Sequence, residues 1–182
     1  MVLMVNLANW QLDRHQQRKD FNATLVQRFE APVRPLDELL QSGEPADIEW
    51  LPTAVTGTYL QGEDISLVNV SQNGAAGYDA ITPLLLSDGK VVLVNRGFLP
   101  LASEFPPAPI GEISLLGRVR ASSERRTGEL SDPATGELTD VQRIDIPRLQ
   151  QQIDGELVPV YVQLLNSTPA EPSSLSTIVD PD

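Results

Sequence analysis

Two groups of residues and one isolated side chain in this 182-residue chain have types and spacings suited to chemistry. Asn95-Arg96-Gly97 sets an amide, a fixed positive charge and a flexible backbone point on consecutive residues, directly after the apolar run VVLV. At the end of a strand such a trio can hold an anion, because a guanidinium forks onto a carboxylate or phosphate with two parallel hydrogen bonds. It can equally be structural, with Asn95 turning the chain, Arg96 bonding carbonyls or a carboxylate, and Gly97 supplying an unusual φ. Arg118 and Arg120 lie two residues apart in Ile113–Ala121, so in a strand both leave the same face. With Arg125 and Arg126 they form a dense basic cluster, which either pairs with the abundant carboxylates or makes an anion site for propionates or headgroups. His15, the one histidine, sits in a polar stretch and reads as a solvated side chain.

Composition excludes several kinds of chemistry. With 25 acidic and 13 basic side chains the net charge is −12, which repels phosphate backbones and argues against nucleic acid as a partner. The chain has no cysteine, so neither disulfides nor thiolate metal sites are available. One histidine and no HExxH-type cluster argue against a tightly held transition metal. No nucleophile elbow and no glycine-rich phosphate loop occur, so no catalytic residues are assigned.

These residues have to be positioned by strands. Ser87-Asp88-Gly89 separates the apolar runs Ala80–Leu86 and Lys90–Leu99, and Asp-Gly between apolar runs predicts a β-hairpin. The second arm is apolar at nearly every position, so both of its faces should be covered. Pro83 cannot donate to a ladder and belongs at an edge, a bulge or a strand start. Val55, Gly57 and Tyr59 alternate with Thr56 and Thr58 in a half-buried strand, where Gly57 marks a bulge or a close backbone approach. Ile65–Val70, Ile113–Ala121, Val141–Ile144 and Leu157–Leu165 supply further strands. Ser71–Gly77 reads as a flexible connection, and Pro106, Pro107 and Pro109 stiffen an exposed crossing. Asp145 caps a helix from about Pro147 to Ile153.

Residues 6–30 read as one helix without Gly or Pro, with Leu3, Leu7, Trp10, Phe21, Leu25 and Phe29 at three- and four-residue spacing. Met1–Trp10 is either the start of an amphipathic helix or the last turns of a truncated membrane helix, with Trp10 at headgroup level. Five basic residues against three acidic ones give Gln11–Arg34 a positive excess within an acidic chain, which is either a solvated face or a contact with anionic headgroups. The layout is thus an N-terminal helix over 1–30, a linker over 31–47, a β domain over 48–165 and an extended tail over 166–182. The fold class is mostly β (α+β): a small antiparallel barrel or curled sheet of six to seven strands, with an N-terminal helix and one short helix in the C-terminal half.

GY-x3-TP followed by DG-x-VVLVNRGF-x-P resembles the signature of the surfeit locus protein 1 family, membrane-anchored assembly factors of haem-copper cytochrome c oxidase. The resemblance is carried by Gly77, Tyr78, Thr82, Pro83, Asp88, Gly89, Val94, Asn95, Arg96, Gly97, Phe98 and Pro100, with an echo in Trp10-Gln11 and Arg14. Gly57 and Tyr59 also fall in the family order. The resemblance implies a non-enzymatic factor that assists haem a insertion or retention in the oxidase's catalytic subunit, with that subunit or other assembly factors as partners. It implies a membrane-adjacent domain on the extracytoplasmic side of the cell membrane, or at the mitochondrial inner membrane in a eukaryote, with a second membrane helix after the tail. No cofactor would be bound by this domain alone, haem a being held by the full-length membrane protein. Relatives that bind haem use a histidine within a membrane helix, a role not carried onto His15. Val70-Ser71-Gln72-Asn73 stands where the family commonly has an arginine. The rival reading is an extracytoplasmic β-barrel that binds a small lipid or porphyrin by itself. From the sequence, Arg96→Ala is expected to impair oxidase maturation while leaving the domain folded.

Overall fold

The computed structural model describes residues 2–123 and 130–179, with side chains from Trp10 onward except those of 12, 13 and 20. In chain order its elements are α1 (Val2–Phe29), β1 (Arg34–Pro35), α2 (Leu36–Ser42), α3 (Pro45–Ile48), β2 (Pro52–Tyr59) and β3 (Ile65–Gln72). There follow β4 (Ala75–Leu86), β5 (Lys90–Pro100), β6 (Glu112–Ala121), β7 (Asp140–Val141), α4 (Ile146–Leu149) and β8 (Glu156–Thr168).

The Asp-Gly turn forms as its chemistry dictates. Gly89 takes φ +84°, and Asp88 Oδ1 accepts from the Lys90 N–H at 3.0 Å. The β4–β5 hairpin that results is the spine of one eight-stranded sheet ordered β1-β2-β6-β8-β5-β4-β3-β7, and a further β2–β4 pairing closes β2, β6, β8, β5 and β4 into a ring. The mostly-β class, the N-terminal helix and a short helix in the C-terminal half match the sequence reading, but that short helix is shorter than expected, Ile146–Leu149. β7, two residues, stands where Val141–Ile144 was expected, and β1, also two residues, brings the strands to eight. The sheet is not wholly antiparallel, because β5 and β8 run parallel. That pairing needs a long crossover, and β6, β7 and α4 all lie within it.

Ring closure explains the burial of VVLV on both sides. Val92 and Val94 share one apolar cluster with Val55, Tyr59, Leu84, Ile113, Leu115, Val119, Val160 and Val162, one face of every ring strand, so this cluster fills the ring. Val91 and Leu93 join a second cluster with Ile65, Ile81, Ile144, Ile146, Leu149 and Tyr161 on the opposite face. Leu36, Leu39 and Ile48 pack against the first cluster, so α2 and α3 from the stretch read as a linker contribute to the core. Pro45 opens α3, where Glu44 and Asp47 form a capping box.

Other differences are equally local. Ser71–Gly77 is a tight hairpin link, since Asn73 and Gly74 take φ +52° and +80°, the geometry that Asn-Gly favours. Pro83 lies inside β4, at the changeover where that strand's partner passes from β3, paired up to Ile81, to β2, paired from Leu84. Its missing N–H falls where no ladder partner is needed. Pro159 in β8 sits within the register shift between Val91 and Leu93 of β5, a bend and not an edge. The proline crossing is not simply exposed, because Pro106 and Ala108 are buried. α1 is fastened at its C-terminal end: Leu25 is buried, Phe29 meets Trp50 edge-on at 5.8 Å, and Arg28 Nη1 donates to the Glu49 carbonyl at 2.7 Å. Trp10, Phe21 and Val26 are exposed. No helix among the described residues is long and apolar enough to cross a membrane.

Candidate functional site

The register of the central hairpin carries Ala80 opposite Gly97 and then Ile81 opposite Asn95, which leaves Arg96 as the extra residue of a β-bulge. A bulge re-aims side chains. Asn95 reaches Asp79, its Nδ2 donating to Oδ2 at 2.8 Å, while Arg96 turns toward Tyr59 and Thr82 and loses all side-chain exposure. A buried guanidinium costs several kcal/mol unless every donor is met. Here all five are. Nε and Nη2 converge on Glu171 Oε2 at 3.0 and 2.8 Å. Nη2 also donates to the Pro107 carbonyl at 3.1 Å, and Nη1 donates to the Pro106 carbonyl at 3.1 Å and to Thr82 Oγ1 at 3.3 Å. Thr82 in turn donates to Asp64 Oδ1 at 2.5 Å, which lies 4.0 Å from Nη1. The guanidinium is flanked by the rings of Tyr59 at 5.5 Å and Phe105 at 5.9 Å.

Three further signature residues complete the node. Tyr59 donates its hydroxyl to Glu171 Oε1 at 3.1 Å, and burial with the nearby Glu171 charge pushes that hydroxyl's pKa far up, so it remains a donor at any ordinary pH. Tyr78 donates to the Ser103 carbonyl at 2.8 Å and stacks on Phe105. Gly97 takes φ +142°, accepts no Cβ without meeting the Ser176 carbonyl oxygen at 2.7 Å, and donates its N–H to Asn95 Oδ1. The next residue, Phe98, exchanges two backbone hydrogen bonds with Ser176 at 2.8 and 3.0 Å. Segment 169–177 is therefore strapped to β5 by a charge clamp and a short strand pairing. Gly77 and Gly57 serve close packing: a Cβ at Gly77 would lie 2.1 Å from the Leu99 carbonyl, and one at Gly57 2.4 Å from that of Leu85.

Of the predicted site residues, the structure brings together Tyr59, Tyr78, Thr82, Asn95, Arg96 and Gly97, with Gly77 and Pro83 on the same hairpin. Trp10 and Arg14 meet each other on α1, guanidinium 5.4 Å from the indole, outside this node. Arg120 is engaged by Glu49 at 3.3 Å, by Gln163 at 3.1 Å and by stacking on Trp50 at 3.6 Å. Arg118 lies over Phe29 at 3.9 Å. This pair ties α1 and α3 to the sheet. Arg125 and Arg126 lie outside the described residues. Sequence reasoning missed Glu171, Asp64 and Phe105. Nothing local in a Pro- and Ser-rich tail marks Glu171 as a partner 75 residues from Arg96.

Asp79 was also passed over, although an acid inside an apolar run is a signal in itself. It is 5 % exposed, only Oδ2 has a partner, and burial raises its pKa despite the Asn95 hydrogen bond. A raised carboxylate pKa means that the folded state binds this proton more tightly than the unfolded chain does. The ionised group therefore costs stability as pH rises above the ordinary carboxylate pKa, and the cost is absent below it. Asp79→Asn, which keeps the shape and the hydrogen bond to Asn95, is expected to raise Tm at neutral pH and to have no advantage in acid; thermal melts across pH 4–8 check this, and a lower Tm at neutral pH would contradict it.

Among the described residues no group of three or more His, Asp or Glu could hold a metal ion. The node spends its charge on internal partners, with no nucleophile and base converging on a substrate space. Fold and site together define a closed β ring to which α1 and segment 169–177 are fastened. The SURF1 family model matches residues 1–180, and the chain belongs to that family. It is 32 % identical over 142 residues to a SURF1-like protein of Monosiga brevicollis, covering 70 % of this chain and 52 % of that protein. An uncharacterised SURF1-like protein of Mycobacterium tuberculosis is 25 % identical over 171 residues, covering 90 % and 62 %. A SURF1-like protein of Rickettsia felis is 30 % identical over 99 residues, covering 53 % and 42 %. The chain thus matches between two fifths and two thirds of the length of these relatives.

Proposed function

We propose that this chain is the extramembrane β module of a non-enzymatic assembly factor for haem-copper cytochrome c oxidase, assisting haem a insertion or retention in the catalytic subunit from the extracytoplasmic side of the membrane. Family membership supports the oxidase context. The observation that carries the mechanical part is the Arg96–Glu171 clamp, which fixes the tail to the centre of the sheet, while Arg118, Arg120, Phe29 and Trp50 fix α1. In this reading the module sets the spacing of two membrane-directed segments, 1–30 and 166–182, and offers a docking face to the oxidase subunit or to other assembly factors. Cofactor contact belongs to membrane segments. The rival, a barrel enclosing a lipid or porphyrin, is disfavoured because the ring is filled by side chains from all five of its strands. Deleting the gene in the source organism and measuring oxidase activity and haem a content tests the proposal: both should fall and return on complementation, and unchanged values in the deletion strain would refute it.

A further inference from the structure

The socket around Arg96 has walls that do not depend on the group filling it. Its donors are Arg96 Nε and Nη2 and the Tyr59 hydroxyl, all aimed at one carboxylate, with distances of 3.0, 2.8 and 3.1 Å. The guanidinium is held in place by the Pro106 and Pro107 carbonyls and by Thr82, and Asp64, bonded to Thr82, lies 4.0 Å from Nη1. The carboxylate itself arrives on an irregular tail, and a cavity of about 190 Å³ adjoins it, lined by Arg96, Leu164, Glu171 and Leu175 among others. We propose that this socket is a carboxylate-binding site in its own right, occupied in cis by Glu171 and open to a free monocarboxylate when Glu171 is removed.

The physical drive is the guanidinium. Its side chain has no exposure, so an empty socket leaves a buried charge with only the more distant Asp64 to offset it, and an incoming carboxylate restores two charge-assisted bonds plus the tyrosine's. Truncating Glu171 to alanine deletes a –CH2–COO⁻ unit, the size of an acetate ion, beside a cavity that already exists. Glu171 thus acts as a tethered plug, and once it is truncated an outside carboxylate takes the same donors. This site stands whether or not the chain serves an oxidase.

Chemical rescue tests it. Glu171→Ala is expected to lower Tm by roughly 6–20 °C, the range for a broken buried pair in a domain of this size. Sodium acetate, titrated against sodium chloride at equal ionic strength, should then raise the Tm of Glu171→Ala saturably, while wild type and Glu171→Gln, whose sockets are filled, respond to the two salts alike. The double variant Arg96→Met/Glu171→Ala should show no acetate-specific gain. An acetate response in Glu171→Ala no greater than that to chloride overturns the proposal, as does an equal response in the double variant. Should Glu171→Ala be unfolded without additive, failure of acetate to refold it overturns the proposal equally.

Discussion

Arg96→Met lowers stability by about 3–5 kcal/mol, the usual cost of removing one partner of a buried ion pair. Methionine keeps much of the stem, so packing against Tyr59 changes little, but all five donors vanish. Glu171, 11 % exposed in its side chain, is left facing an apolar group, and the buried Pro106 carbonyl loses its donor. At about 2–4 °C per kcal/mol for a chain of this length, the loss is roughly 6–20 °C in Tm, read by thermal melting followed by circular dichroism. Arg96→Lys should fall between, because an ammonium keeps the charge without the fork that serves Glu171 and two carbonyls at once. A Tm within a degree or so of wild type for Arg96→Met would contradict the clamp. For Arg96→Ala, expected from sequence to leave the domain folded, the clamp adds a lowered Tm to that expectation.

The second large effect is at Gly97. Alanine there meets a backbone conformation that L residues rarely adopt, at φ +142°, costing about 1–3 kcal/mol. Its Cβ would also sit 2.7 Å from the Ser176 carbonyl oxygen, so the tail must move and its two backbone bonds to Phe98 weaken, at about 0.5–1.5 kcal/mol each. The expected loss is therefore about 2–6 kcal/mol for Gly97→Ala. Gly89→Ala is the control, since Gly89 also has positive φ but nothing within 4 Å of a Cβ. It should lose only the backbone part, about 1 kcal/mol or somewhat more. Chemical denaturation of both variants measures the difference. Equal losses would show that the tail does not press on Gly97.

The contrast between these two glycines also shows what a sequence makes legible. Gly89 follows Asp88 between two apolar runs, and that local chemistry alone predicted its turn and the hairpin around it. The full burial of VVLV, the shared face of Arg118 and Arg120 and the Asp145 cap were readable for the same reason: each depends on neighbours a few residues away. The bulge at Arg96 was not readable, because a register shift is a property of two strands, seen only when Ala80 and Ile81 are set against Gly97 and Asn95. Glu171 was hidden further still. Its tail has no periodicity, and its role arises only after the ring places Arg96 at the end of its interior. Asn73-Gly74 and Asp79 were legible and overlooked, the first as a hairpin turn and the second as an acid within an apolar strand.

Of the signature residues, Tyr59, Arg96 and Gly97 meet the tail directly, while Thr82 and Asn95 support Arg96 and Gly97 from within the sheet. In this structure every Arg96 donor is taken by a partner within the chain. Hydrogen exchange on Arg96→Lys, resolved to single amides, tests this most directly. The account predicts that the Ser176 and Phe98 amides, which close the strap, exchange much faster than in wild type while the Val92 and Val94 amides of the ring core keep their protection. Unchanged protection at Ser176 would contradict it, and would mean that the tail is held by something other than the Arg96 clamp.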